Sequence, residues 1–256
     1  MKIKFLIAKE LGLNSEMIKY IHSYQKIGDI IIVKIEKEIE EYKNKIAEIL
    51  FKNIPNTKTV CRILGIEGEK RIPQIEILIG KDTETIHREN KCIFKLDVSK
   101  VMFSKGNLFE RRRLVDYVND NEKIVDMCAG IGYFSIPIAK FRKVKMVVCF
   151  DINKNAIKYL LENIKLNKIE NIYPVIGNSL KVLKRKKFFD RAIIGCIFNS
   201  FKFLDLAKEI ASEVTFHTLI KKEELESFLK SYNVLRYRKV KSYAPHIYHY
   251  VFDIKF

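Results

Sequence analysis

Lys123-Ile124-Val125-Asp126-Met127-Cys128-Ala129-Gly130-Ile131-Gly132-Tyr133-Phe134-Ser135-Ile136-Pro137 is the stretch from which this chain is best read. A short apolar step ends in an acid, and two glycines carry the chain into a new segment. The pattern describes a strand that turns sharply into a helix, because Gly130 and Gly132 can adopt backbone angles closed to other residues and leave room for a ligand against the chain. Such a turn can also do no more than tighten a strand-to-helix connection, so the order of the surrounding elements has to decide.

That order is regular downstream of Asn107, which is placed to cap a helix running through Asn119. Apolar runs predict strands at 123–128, 145–151, 172–176, 190–197 and 214–220, and helical patterns fall between them at 133–141, 153–166, 201–211 and 222–231. Strict alternation calls for parallel strands with right-handed helical crossovers, hence a doubly wound α/β sheet. Val234–Val240 and Tyr248–Phe256 break the rhythm as two strands joined across Ala244-Pro245, an antiparallel hairpin on the sheet edge. A mixed sheet finished in this way resembles the Rossmann-like class I S-adenosylmethionine-dependent transferases.

Upstream the pattern is mixed. Gly28–Ile35 reads as a turn and a buried strand, 38–51 as an amphipathic helix, and 58–64 and 74–79 as strands around a polar loop. The expected organisation is a small α+β domain over 1–100, followed by the Rossmann-like domain over 101–256.

The chain has 256 residues, 48% of them apolar, enough for one sizeable core and a second smaller one. Its net charge is +17, from 48 Lys and Arg against 31 Asp and Glu, which points to an anionic partner with nucleic acid first among candidates. A Lys-rich proteome is the competing explanation. Basic residues interleaved with aromatic ones are densest at Lys181–Phe189 and Arg236–Tyr243, so Lys184, Arg185, Lys186, Arg236 and Arg238 are the candidate RNA contacts.

Five cysteines without a CxxC pair suggest small core residues in a reducing compartment rather than a disulfide framework or zinc site. His246 and His249 are too few and ill-spaced for a metal, and all five histidines are read as surface or core residues. No apolar stretch approaches the ~20 residues of a membrane helix. A cytoplasmic, metal-free, membrane-free monomer is expected.

In an open parallel sheet a ligand lies across the carboxyl ends of the strands, near the switch in strand order. The crevice should therefore gather Asp126, Cys128 and Gly130 after the first strand, Asp151 after the second, Asn178 and Ser179 after the third, and Gly195-Cys196 after the fourth. Asp151 could accept both hydroxyls of a ribose, or merely cap the helix starting at Asn153. Asn178 could read an adenine edge through its amide, or only make a turn. Acids rather than a phosphate-binding set suit S-adenosylmethionine.

Three motifs sharpen the picture: Asp126-x-Cys-Ala-Gly-Ile-Gly-Tyr-Phe-Ser-Ile-Pro, the upstream Phe103-Ser104-Lys105-Gly106-Asn107-Leu108-Phe109-Glu110-Arg111, and Asp190-Arg191-Ala192-Ile193-Ile194-Gly195. In this order they resemble the class I tRNA-modifying enzymes that act on the guanosine 3′ of the anticodon, over about residues 85–256. That group comprises the tRNA guanine-N1 methyltransferases and the related wybutosine-synthesising aminocarboxypropyl transferases. The methyltransferases carry an Asn-x-Pro motif at the fourth strand end, whereas this chain has Ile194-Gly195-Cys196-Ile197-Phe198. The resemblance thus implies transfer of a 3-amino-3-carboxypropyl group from S-adenosylmethionine to a demethylwyosine base in tRNA(Phe), with methylation of guanosine as the alternative. A non-catalytic RNA-binding protein on a transferase scaffold is the third possibility.

Ser104 and Arg111 are placed near the amine and carboxylate of the methionine arm, Arg111 because a guanidinium grips a carboxylate with two parallel bonds. Helix capping by Ser104, and a solvated or phosphate-binding helix face for Arg111, are the rival roles.

Overall fold

The computed structural model describes residues 3–14 and 16–256. The chain forms two compact units, residues 1–88 with 93–105 and residues 89–92 with 106–256, against the boundary expected at residue 100.

The first unit opens with helix α1 (Ile3–Glu10), which the sequence did not announce. Strands β1 (Gln25–Ile27) and β2 (Ile30–Val33) form a hairpin through Gly28, whose φ is +55°. Helix α2 (Lys43–Asn53) starts later than its apolar pattern suggested, because residues 37–42 form a tighter 3₁₀ turn. Strands β3 (Thr59–Glu67) and β4 (Ile72–Ile79) pair antiparallel and complete a sheet of order β1-β2-β3-β4. Ile7, Ile31, Ile39, Ile46, Ile49, Leu50 and Val60 pack together into its core. A separate two-stranded sheet, β5 (Glu84–Glu89) and β6 (Cys92–Asp97), turns through Asn90 and Lys91, both at positive φ.

The second unit is built on a seven-stranded sheet. Its elements are α3 (Leu108–Tyr117), β7 (Lys123–Asp126), α4 (Ser135–Phe141), β8 (Met146–Asp151), α5 (Lys154–Leu166), β9 (Ile172–Ile176), the single turn α6 (Ser179–Val182), β10 (Phe189–Ile194), α7 (Ser200–Ile210), β11 (Ala211–Lys221), α8 (Leu225–Ser231), β12 (Val234–Ala244) and β13 (Ile247–Lys255). The strand order is β12-β13-β11-β10-β7-β8-β9, with β7 to β11 parallel and β13 antiparallel to both its neighbours.

One large core fixes this sheet. Val125, Ile194, Val214, Phe216 and Phe252 from the strands pack with Leu204, Ala207 and Ile210 of α7 and Phe228 of α8. Burying each such side chain is worth about 1.5–3 kcal/mol, so the alternation of apolar strands and one-sided helices suffices to direct the topology.

Helix α3 is clamped to the antiparallel edge by charge. Arg113 Nη1 donates to Asp253 Oδ2 over 2.6 Å, Asp253 Oδ1 accepts from Thr215 Oγ1 over 2.8 Å, and Glu110 accepts from Arg113 Nε and Arg238 Nε over 2.8 and 2.6 Å. Asn107 stands at the helix start, but its side chain does not cap.

Candidate active site

Strand order reverses between β7 and β10, and the loops after β7, β8, β9 and β10 meet at that point. The loop after β7 is bonded on both sides: Met127 N donates to Ile193 O over 2.9 Å and Ala129 N to Phe150 O over 2.8 Å. Gly130 and Gly132 have φ of +58° and +92°, and a Cβ at either would strike its surroundings. At Gly130 that Cβ would lie 2.3 Å from Tyr133 Cε2, so the room left by the missing side chain is taken by the Tyr133 ring and only the backbone of Gly130 is left to meet a ligand. At Gly132 it would meet Ile136 and Leu160, where α4 and α5 approach.

Asp151 connects two loops. Its Oδ2 accepts from Gly130 N and its Oδ1 from Asn153 N, both over 2.8 Å. Burial raises its pKa, partly offset by backbone donors at Asn153, Gly130 and Ile152. The helix cap that competed with a ribose role belongs to Asn153, whose side chain accepts from Asn155 N. Asp151 therefore orders the glycine loop from the end of β8, at the crevice, as a residue that is itself half-buried.

Several expected contacts point elsewhere. Asp126 is 0% exposed and its Oδ2 accepts from Ser135 Oγ over 2.6 Å, so it organises the start of α4 beneath the crevice. Burial lifts its pKa to about 7. Ser179 is equally buried and donates to Met127 O, tying the loop after β9 to the loop after β7. Asn178 Oδ1 accepts from Leu180 N and caps α6, so the acceptor expected to read adenine is engaged locally. Arg111 is 1% exposed, and its Nε and Nη2 grip both oxygens of Glu89. The paired donors expected to hold a ligand carboxylate are taken by a protein carboxylate. Ser104 belongs to the first unit and is half-buried.

Cys128 and Cys196 do meet at the switch point, with sulfurs 2.7 Å apart and both residues half-buried. Contact with Cys196 and burial push the Cys128 thiol well above its ordinary pKa. Cys61, Cys92 and Cys149 are buried, as core residues should be. Gly195 is packed tightly: a Cβ there would lie 3.1 Å from Phe134 Cε2.

A buried imidazole pair behind this loop was not foreseen. His217 Nδ1 and His249 Nε2 are 3.0 Å apart, and the His217 ring lies 5.3 Å from the Phe134 ring. Burial holds His217 far below its usual pKa and lowers His249 to about 4, so both are neutral at physiological pH. The signal was the register of two strands far apart in sequence. Among the described residues no group of three or more His, Cys, Asp or Glu side chains could hold a metal ion, and no helix is long and apolar enough to cross a membrane.

The basic candidates divide. Arg238 bonds Glu110 and lies 4.3 Å from the Phe109 ring, and Arg236 lies 5.0 Å from the Tyr117 ring, so both serve the docking of α3. Arg185 pairs with Glu209, whereas Lys184 and Lys186 are exposed.

A glycine loop, an acid at the second strand end and a reversed terminal hairpin on this strand order define a class I S-adenosylmethionine-dependent transferase. Residues 85–240 match the TRM5/TYW2 methyltransferase domain and residues 5–83 the TYW2 N-terminal domain, and the chain belongs to the TRM5/TYW2 family. A tRNA(Phe) (4-demethylwyosine(37)-C(7)) aminocarboxypropyltransferase of Methanocaldococcus jannaschii is 41% identical, over 91% of this chain and 97% of that protein. The structure of Pyrococcus horikoshii TYW2 in complex with MeSAdo is similar with a TM-score of 0.79 and 31% identity, over 98% of each chain. The complex of aTrm5 and tRNALeu is similar with a TM-score of 0.88 and 34% identity, over 100% of this chain and 78% of that one.

Proposed function

We propose that this protein transfers the 3-amino-3-carboxypropyl group of S-adenosylmethionine to carbon 7 of 4-demethylwyosine, the base 3′ of the anticodon in tRNA(Phe), releasing 5′-methylthioadenosine. The observation that carries the choice within the family is Gly195. Packed against Phe134, it offers no side-chain amide at the strand end where a methyltransferase would hold guanosine. The match of residues 5–83 to the TYW2 N-terminal domain supports the same choice.

A sulfonium has three carbons open to attack, and the enzyme selects one by placing it in line with the nucleophile. Here the base carbon would form a bond to the γ-carbon of the methionine arm, the bond from that carbon to sulfur would break with its electrons going to sulfur, and the base would lose its C7 proton. Asp151 would accept from the ribose hydroxyls while keeping Gly130 in place. Cys128 and Gly130 would line the adenosine side, with Asn178 beyond them. Arg111, held by Glu89, would shape the methionine end rather than grip its carboxylate.

Lys184 and Lys186 would supply phosphate contacts, since exposed lysines give affinity independent of sequence. We place the enzyme in the cytoplasm as a metal-free monomer.

Incubation with S-adenosylmethionine and demethylwyosine-containing tRNA should release methylthioadenosine and leave no label from the cofactor methyl group in tRNA. Release of S-adenosylhomocysteine with methyl label in tRNA would instead identify a methyltransferase.

A further inference from the structure

β10 ends at Ile194, opposite Phe216 of β11, but β11 continues to Lys221, five residues farther. At strand rise that is about 16 Å. The antiparallel pair keeps pace, because Lys221 opposes Ile247, Ile247 opposes Ala244, and Lys222 N donates to His246 O over 2.9 Å. Three strands therefore project beyond the carboxyl end of β10 and stand as a wall beside the crevice.

Residues 195–199 follow β10, and their far end is fastened to the wall: buried Ser200 Oγ donates to Thr218 Oγ1 over 2.8 Å. Asn199, at φ +53°, turns the chain into α7. This loop presents Phe198, and the wall presents Tyr243. Their ring centroids are 5.9 Å apart at 75°, and the side chains are 41% and 50% exposed.

We infer that Phe198 and Tyr243 form the platform on which the acceptor base of the RNA stacks. This rests on the transfer reaction proposed above. An edge-to-face pair leaves ring surface toward solvent, and such surface at a strand end beside a cofactor crevice suits a flat heteroaromatic group. Sequence-specific RNA recognition takes bases out of the stack and lays them on aromatic side chains. The surrounding charge selects the same occupant. Lys239 and Lys241 precede Tyr243 on β12 and Lys202 follows Phe198, all three exposed, a rim suited to a polyanion rather than to an apolar peptide. The third fused ring of demethylwyosine enlarges the area to be stacked.

Phe198 also sits three residues after Gly195, where the Asn-x-Pro motif is missing. Stacking would then replace amide hydrogen bonding as the means of holding the base, leaving the carbon edge free to attack.

The test compares wild type with Phe198→Leu, Tyr243→Leu, the double variant, and the aromatic replacements Phe198→Tyr and Tyr243→Phe. Methylthioadenosine release by wild type comes first, and its failure would remove the proposed reaction without bearing on the platform. Given turnover, the leucine variants should each lose about ten- to hundredfold in kcat/KM for tRNA, the range expected from one stacking interaction. Cofactor affinity by calorimetry should stay within twofold of wild type, and the aromatic replacements should retain activity. Turnover unchanged in the double variant, or cofactor affinity falling in parallel with turnover, would overturn the platform. So would loss of activity in Phe198→Tyr equal to that in Phe198→Leu.

Discussion

Asp151 accepts the backbone N–H of Gly130 over 2.8 Å, so one carboxylate at the end of β8 holds the glycine loop that follows β7. The acid and the loop are 21 residues apart in the chain, and parallel pairing of β7 with β8 brings them together. Pre-ordering a loop in this way lowers the conformational entropy lost when a ligand binds.

Replacing Asp151 by Asn should weaken S-adenosylmethionine binding by about 1–3 kcal/mol, since the substitution removes charge-assisted hydrogen bonds and slackens the loop. Calorimetry on the variant checks this, and an unchanged dissociation constant would refute the ribose role.

Asp126 imposes a pH dependence on stability. Its pKa is about 7 in the fold against 3.8 when unperturbed, so between those values the folded chain keeps a proton that the unfolded chain has released. Stability therefore falls as pH rises through that window, by at most about 1.4 kcal/mol per pH unit from this group. Asp151, also raised by burial, acts in the same sense. Asp126→Asn keeps an acceptor for Ser135 and carries no charge. Denaturant titrations should show the variant gaining on wild type as pH rises from about 4 to about 7, and parallel curves would contradict the assignment.

The clamp on α3 should be costly to break. Asp253, 2% exposed, receives both Arg113 and Thr215. Asp253→Ala should destabilise the protein by about 3–5 kcal/mol, because Arg113 is left short of a counter-charge in a buried setting. A lowered denaturation midpoint with unchanged slope is the expected observation.

Basic residues should separate by role. Lys184→Gln and Lys186→Gln should each reduce the dependence of tRNA affinity on salt by about 0.7–0.9 in the log–log slope for every phosphate that is no longer neutralised. Arg238→Gln should lower the melting temperature instead, since it withdraws a donor from Glu110, which is 1% exposed. A salt slope that moves only in the Arg238 variant would reverse these assignments.

Much was legible along the chain because it is written in local pattern. Apolar runs ending in Asp126 and Asp151, glycines needing positive φ, and helices with one apolar face are constraints between near neighbours. Periodicity then leaves few topologies, since parallel strands require crossovers of one hand. The seven-stranded sheet and its terminal hairpin follow from these constraints.

Side-chain direction within the crevice was of another kind. Asp126 and Asp151 look alike as acids at strand ends, yet one is sealed beneath α4 and the other reaches the crevice. Arg111 looked free for a ligand until β5 and its turn brought Glu89 to it. The pairings of Cys128 with Cys196, His217 with His249 and Phe198 with Tyr243 join residues 68, 32 and 45 positions apart. Periodicity places elements, but strand register and the packing of facing elements place side chains, and those depend on contacts between segments that carry no mark of one another in the linear chain.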